Sequence, residues 1–362
     1  MKKIQTFLQE YSTYFVVFGL VFISFTAFLI FFQSGQNLLY GDALSRMNIS
    51  RKILDNLTPG LAQLGNVWLP LPQVLMLPLI WNDYFWHTGI AGAVMSMSAY
   101  IIGGIYLYKT LRIVTNSIVS SVLSLSIYAL NINIIYLQTT AMSESLFLCT
   151  LSAAIYYFML AIQKKDNMYL IPAGLAVSAM CLVRYEALAI LVASVVMVIS
   201  YTWLQTRSYK KAESSTILYT TLACLGFAMW TIYLTIIFGD PLYWKNYYAG
   251  TPTEKLGAPI VESLSLIGAF WKYFTTVVWM NGLIPTLLAL LAIPFAIYIS
   301  IKQKSYYFMP VILSLAIFFA IGVLFYFLTK NIGDKKINQA LLILITATLF
   351  GVLALSAFFS LH

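Results

Sequence analysis

Charge is scarce in this chain: only 9% of its 362 residues are Asp, Glu, Lys or Arg, while 61% are hydrophobic. A water-soluble domain carries roughly 25% charged residues, so an ordinary soluble fold is excluded and a bilayer is left as the surrounding solvent. Histidine is nearly absent, with His87 and His362 far apart. Cysteine is limited to Cys149, Cys181 and Cys224, each inside an apolar run, which points to free buried thiols and not to a disulfide framework. With no Cys/His cluster, a zinc or haem site is not expected. Low-complexity tracts, Gly/Ser-rich linkers and internal repeats are missing too. The length would suit about two soluble domains, but nothing divides it, and a single membrane-embedded helical domain over 1–362 is expected.

What the chain has instead is a succession of apolar runs. A span needs about 20 apolar residues, and on that basis helices are predicted near 12–33, 88–108, 113–131, 142–162, 168–183, 186–204, 216–238, 273–300, 306–328 and 340–360. The fold class is thus an all-α polytopic membrane protein of about ten spans. The apolar run from Tyr14 to Phe32 after Met1-Lys2-Lys3 is too long for the h-region of a signal peptide and lacks a small-residue cleavage site, so it counts as the first span.

Orientation follows from Lys and Arg in short loops. With the N-terminus in the cytoplasm, the inner segments hold Lys2, Lys3, Lys109, Arg112, Lys164, Lys165, Arg207, Lys210, Lys211, Lys302 and Lys304, against Glu10, Asp166 and Glu213 alone. Nearly all of the net charge of +9 is then inside. Lys330, Lys335 and Lys336 in the last outer loop go against the rule. The basic balance is therefore a topology signal and does not point to nucleic acid. Two outer segments are long, about 34–87 and 239–272, whereas every inner loop is short, so the outer face has the room for a site.

In the first outer segment, Met47, Ile49, Ile53, Leu54 and Leu57 recur at spacings that place them on one side of a helix over Asp42 to Leu57. Such a helix would lie in the membrane interface. A second interfacial piece follows, interrupted by Trp68, Pro70, Pro72 and Pro78, with Trp81, Tyr84, Phe85 and Trp86 as an aromatic belt.

Four places carry ionisable residues at the outer ends of spans, where a membrane protein seldom puts them without a role. They are Asp42 with Arg46 in YGDALSR, Glu144 in TTAMSESLF, Arg184 with Glu186 in LVRYEA, and Asp240 with Lys245 in FGDPLYWKNYY. Each also has a structural explanation. Asp42 would serve as a helix cap; Glu144 and Glu186 begin helices and Arg184 ends one, as the macrodipole favours. Tyr243, Trp244, Tyr247 and Tyr248 suit either sugar stacking or an interfacial belt.

The order of these features resembles the GT-C superfamily. The acid after the first span (Tyr40-Gly41-Asp42-Ala43), the Trp68, Pro70, Pro72 stretch, Met142-Ser143-Glu144 at the head of the fourth span and Arg184-Tyr185-Glu186 between the fifth and sixth carry the resemblance. More narrowly, residues 1–250 resemble the catalytic module of polyprenyl-phosphate-dependent glycosyltransferases related to protein O-mannosyltransferases and lipid A aminoarabinose transferases, with 251–362 as variable C-terminal helices. Two departures stand out: Gln73 occupies the place of a His found in many relatives, and no large C-terminal soluble domain follows.

The resemblance implies a sugar donor linked to polyprenyl phosphate, an acceptor that the sequence does not name, and no cofactor or metal. It makes Asp42 the catalytic carboxylate, Glu144 the second acid and Arg184 the ligand of the donor phosphate. Glu186, Arg46 and Tyr40 would join the donor site, with Trp68, Gln73, Tyr243 and Lys245 as acceptor or aromatic contacts. Transfer with inversion at the outer face of a bacterial plasma membrane is expected. A lipid-linked-sugar flippase or transporter, or an O-antigen-type ligase or polymerase, stays open as an alternative.

Overall fold

The structure, a computed structural model, describes residues 2–244 and the isolated positions 271, 275 and 287. Lys245, the spans expected over 306–328 and 340–360, and nearly all of that over 273–300 lie outside the described residues. Among the described residues the chain is all helical, with no strand: α1 (Lys2–Gln33), α2 (Gly41–Leu54), α3 (Leu71–Ile80), α4 (Asp83–His87), α5 (Ile90–Thr115), α6 (Ile118–Ala129), α7 (Ile132–Leu137), α8 (Glu144–Lys164), α9 (Leu170–Cys181), α10 (Ala187–Thr206) and α11 (Tyr209–Phe238). Among the described residues, four segments are long and apolar enough to cross a membrane: Tyr11–Gln33, Ile90–Thr115, Glu144–Lys164 and Tyr209–Phe238. The expected third, fifth and sixth spans appear as shorter apolar helices, Ile118–Ala129, Asn167–Cys181 and Ala187–Trp203. In the third, Leu130 and Asn131 end the helix early, because the Asn131 side chain accepts from the Asn133 and Ile134 amides and starts α7 instead.

The chain forms two compact units, one of Met1–Ala187 with Leu218–Ala249, the other of Leu188–Ile217 with Gly250–His362. In the second unit, Val198 and Thr202 are buried on α10, and the helix stops at a turn where Arg207 takes a φ of 50°. Every candidate side chain described below belongs to the first unit.

Small residues set how closely the helices of the first unit approach, as in membrane bundles generally. A Cβ on Gly103 of α5 would come within 2.9 Å of the Cys149 Cα on α8, and one on Gly92 within 2.2 Å of the Ala141 Cβ. On α11, a Cβ at Gly226 would meet the Ser178 carbonyl oxygen of α9 at 2.1 Å, and the Gly226 amide donates to Ser178 Oγ. Tyr100 and Tyr128 stack at 5.2 Å and each donates its hydroxyl to the other helix's backbone, so this contact between α5 and α6 leaves neither of the two hydroxyls unpaired.

The helix expected over Asp42 to Leu57 is present as α2 but ends at Leu54, and its buried face is Ala43, Arg46, Met47, Ser50 and Ile53. Leu57, counted on the apolar side, is fully exposed. The periodicity overlooked Arg46 and Ser50 because it registers apolar residues only. Arg51 clamps α2 to the next two helices. Its guanidinium pairs with Asp55 at 2.9 Å and Asp83 at 2.7 Å, donates to the Ile80 and Trp81 carbonyls, and lies 5.0 Å from the Trp86 ring centre. The proline-rich stretch, expected to be broken, forms the helix α3, because Pro72 in its first turn would have no intrahelical amide bond to lose.

One apolar cluster joins these elements. Ala43 and Met47 of α2, Met76 and Ile80 of α3, Ala91, Met95 and Ala99 of α5, Leu146 and Cys149 of α8, and Val183 after α9 are buried together. All three cysteines are free thiols, two of them buried and Cys224 only half-buried.

Candidate functional site

The segment from Gln138 to Ser145 enters α8 almost fully buried although it is polar. Gln138, Thr139, Thr140 and Ser143 are wholly inaccessible. Buried polar groups need partners, and these have them: Gln138 exchanges hydrogen bonds with Ser24 of α1, while the hydroxyls of Thr139 and Thr140 donate to Tyr136 and Leu137 carbonyls. Ser96 of α5 donates to the Met142 carbonyl at 3.0 Å. The head of α8 is thereby fixed from two sides, and with it Glu144, the first residue of the helix.

Glu144 meets Arg184 there. Arg184 Nη1 donates to Glu144 Oε1 at 2.7 Å and reaches Ser143 Oγ at 3.5 Å. The other edge of the guanidinium forks onto Glu186, with Nη2 to Oε1 at 2.7 Å and Nε to Oε2 at 3.4 Å. Tyr185, between the two charged residues, anchors the segment: its ring stacks on Trp244 at 4.5 Å, and its hydroxyl accepts from Trp230 Nε1. The arrangement brings together three residues that are up to 42 positions apart in sequence, one cation between two carboxylates.

Electrostatics favours the charged forms of Arg184 and Glu186. Burial disfavours the charge on Arg184, but the bonds to Glu186 and Glu144 outweigh it and raise the guanidinium pKa above its ordinary value. Burial likewise opposes the Glu186 carboxylate, and the Arg184 fork together with its own backbone amide holds its pKa below the usual value of 4.5. The Glu186 side chain is 58% exposed and the Glu144 side chain 30%, so the Glu186 edge of the guanidinium is the one that solvent and a ligand can reach.

Asp42 lies apart from this triad. It occupies the first turn of α2, is exposed, and makes no hydrogen bond or ion pair with the described residues. The N-cap is Tyr40 and has no side-chain cap bond, so a capping role for Asp42 is not realised. Tyr40 instead packs its ring on Tyr136 at 5.7 Å, and Tyr136 also meets Phe31 and donates to the Gln36 carbonyl. The Arg46 guanidinium lies over the Trp68 ring, 4.9 Å from its centre. No bond joins Asp42 to Arg184, but their chain neighbours Ala43 and Val183 share the apolar cluster described above.

Gln73 is completely buried on α3. Tyr243 stacks on Phe238 at 4.9 Å, within an aromatic group that includes Trp230, Tyr233 and Trp244. Asp240 accepts from the Leu242 amide, which shapes the turn after α11. No group of three or more His, Cys, Asp or Glu side chains placed to hold a metal ion occurs among the described residues. Sequence reasoning overlooked Ser143, the buried Gln138–Ser145 segment and Arg51. The i,i+4 spacing of Arg51 and Asp55 was a readable signal; the burial of the threonines left no mark in the sequence.

Residues 81–233 match the model of the dolichyl-phosphate-mannose-protein mannosyltransferase family. The matched stretch is under half of the chain and contains Glu144, Arg184 and Glu186, while Asp42, Arg46, Trp68 and Gln73 precede it. The match supports a GT-C-type membrane glycosyltransferase that uses a lipid-linked sugar. A comparison with curated proteins finds no match.

Proposed function

We propose that this protein transfers a sugar from a polyprenyl-phosphate donor to an acceptor at the outer face of the membrane, with inversion of the anomeric centre. The observation that carries this reading is the Arg184 guanidinium held between Glu144 and Glu186 within the stretch that matches the mannosyltransferase family.

The chemistry asks little of the protein. The leaving group is a lipid phosphate monoester, already stable as a dianion, so the reaction needs a base for the acceptor hydroxyl and positive charge at the departing phosphate. Arg184 supplies the charge in a planar fork that matches phosphate oxygens. Its exposed edge is occupied by Glu186, so the phosphate takes that edge in competition with Glu186 while Glu144 keeps Nη1 and holds the guanidinium in place. Asp42 acts as the base. Its carboxylate is exposed and bonded to none of the described residues, as suits a group that must accept a proton from an incoming hydroxyl. The acceptor oxygen attacks the anomeric carbon, the carbon–phosphate-oxygen bond breaks, and the proton passes to Asp42. With Arg184 as the electrophile, no divalent ion is required. The crowding of Lys and Arg on the segments assigned to the cytoplasm supports an outer-face site.

The test is to incubate purified protein with a panel of polyprenyl-phosphate sugars and candidate acceptors, and to determine the anomeric configuration of the product. A glycoside of configuration opposite to the donor is expected. Retention would overturn the single-displacement scheme, and release of no sugar from any donor would overturn the transferase reading.

A further inference from the structure

Every residue of α3 is apolar except Gln73, and Gln73 is wholly buried. Neither Nε2 nor Oε1 of its amide has a hydrogen-bond partner among the described residues. Its backbone is pinned: Pro70 and Pro72 stiffen the helix start, the Ser50 hydroxyl donates to the Gln73 carbonyl at 3.1 Å, and the Leu71 amide donates to the Leu182 carbonyl at 3.0 Å. That last bond places the start of α3 two residues from Arg184. Met76, one turn further along the same face, packs in the apolar cluster with Leu146 and Val183.

Two more orphaned polar atoms belong to the elements that meet there. Glu144 Oε2, the oxygen not bonded to Arg184, is buried without a partner among the described residues, and so is Ser145 Oγ. A buried amide with neither group satisfied lowers stability, and an apolar residue of the same shape would be neutral or better. Native proteins tolerate few such groups, and each calls for an explanation.

We infer that Gln73, Glu144 Oε2 and Ser145 Oγ line one hydroxyl-binding pocket beside the Arg184 ion pair, which receives the sugar ring of the donor and sets which sugar is accepted. The set offers an amide donor, an amide acceptor, a carboxylate oxygen and a hydroxyl, which matches neighbouring sugar hydroxyls that each donate and accept. It does not match a phosphate, since two of the four groups are acceptors only. The division of labour is then plain: Arg184 reads the phosphate and Gln73 reads the sugar. A site built to hydrogen-bond substrate hydroxyls discriminates strongly, because the wrong sugar leaves its buried groups unpaired. This inference rests on the lipid-linked-sugar reading.

The experiment measures binding by the full-length protein in lipid nanodiscs, from the shift in thermal midpoint with ligand concentration. The probes are bare polyprenyl phosphate and the same lipid carrying mannose, glucose or aminoarabinose. Wild type should bind one sugar-bearing lipid more tightly than the bare lipid. Gln73→Met should weaken that lipid about tenfold, as loss of one to two hydrogen bonds implies. It should leave the bare lipid's affinity unchanged, flatten the preference among sugars, and melt at or above the wild-type temperature. Ser145→Ala should show the same selective loss to a smaller degree, which keeps the test open if Gln73→Met fails to fold. Arg184→Ala should lose both lipids. If Gln73→Met melts well below wild type yet keeps its sugar preference, the amide holds a structural water and the pocket is refuted. If wild type binds bare and sugar-bearing lipids alike, the pocket falls while the phosphate site stands. If it binds neither, the donor reading itself falls and the pocket with it.

Discussion

Because the Asp42 carboxylate bonds to no described residue, Asp42→Asn removes a charge and no contact. Transfer should fall by about 10²–10⁴-fold, the contribution of a positioned base, with the thermal midpoint unchanged; a parallel measurement of turnover and melting checks both. Arg184→Ala has a different signature. It strips two carboxylates of their partner, so donor KM should rise, turnover fall, and stability drop by about 1–2 kcal/mol, after discounting for solvent, which reaches 31% of the Arg184 side chain, 30% of Glu144 and 58% of Glu186. Arg184→Lys should recover part of the binding but not the fork. Glu186 competes with the phosphate in this scheme, so Glu186→Gln should tighten donor binding by roughly two- to fivefold, whereas Glu144→Gln should weaken it. The same residue sets an acid limit. Its pKa is lowered from 4.5 in the fold, so its contribution is complete above that value and is lost as the pH falls through the lower folded value. Arg184, with its pKa raised, stays charged through the alkaline range. Melting curves should therefore be flat with respect to this pair from neutral pH down to about pH 4.5 and decline below it, and Glu186→Gln should remove that part of the decline.

Between helices the glycine contacts give the clearest expectations. A methyl at Gly92 would run into Ala141 backbone and side chain, neither of which is a flexible end that could move aside. Gly92→Ala should cost about 1–3 kcal/mol and should lower activity as well, because Ala141 lies in the segment that delivers Glu144 to Arg184. Gly19 on α1 has nothing within 4 Å, so Gly19→Ala should be neutral or slightly stabilising through helix propensity. Denaturation midpoints for the two variants test the contrast. These elements also show what a sequence reveals. The long spans were legible because apolar runs of that length have few other meanings. The register of α2 was not, since Arg46 and Ser50 are polar residues on a buried face, Arg46 lying over the Trp68 ring and Ser50 donating to backbone oxygens that no sequence pattern displays. The ends of α6 and α9, expected at 131 and 183, fall two residues earlier, at Ala129 and Cys181; after α6 the Asn131 side chain caps the amides of Asn133 and Ile134 and starts α7.

At the scale of the whole molecule, Glu144, Arg184 and Glu186 could be picked out in advance because ionisable residues are rare in such a chain, but their mutual geometry depends on a buried polar segment that composition does not mark. Asp42 was legible as an unusual acid, yet its independence from every described partner is a property of the fold alone. The orientation in the membrane is open to a direct check. Cysteines introduced at Asn56 or Gly250 should react with an impermeant reagent from outside, and one at Ser208 should not; the reverse pattern would move the site to the cytoplasmic face. The central claim, that this chain makes a glycosidic bond from a lipid-phosphate sugar with Asp42 as base, is tested most directly in sealed vesicles containing the purified protein, a labelled polyprenyl-phosphate sugar and an acceptor. Wild type should produce labelled glycoside, and Asp42→Asn should produce about 10²–10⁴-fold less while still binding donor. Movement of the labelled lipid between leaflets with no glycoside formed from any donor would contradict the claim and identify a translocator instead.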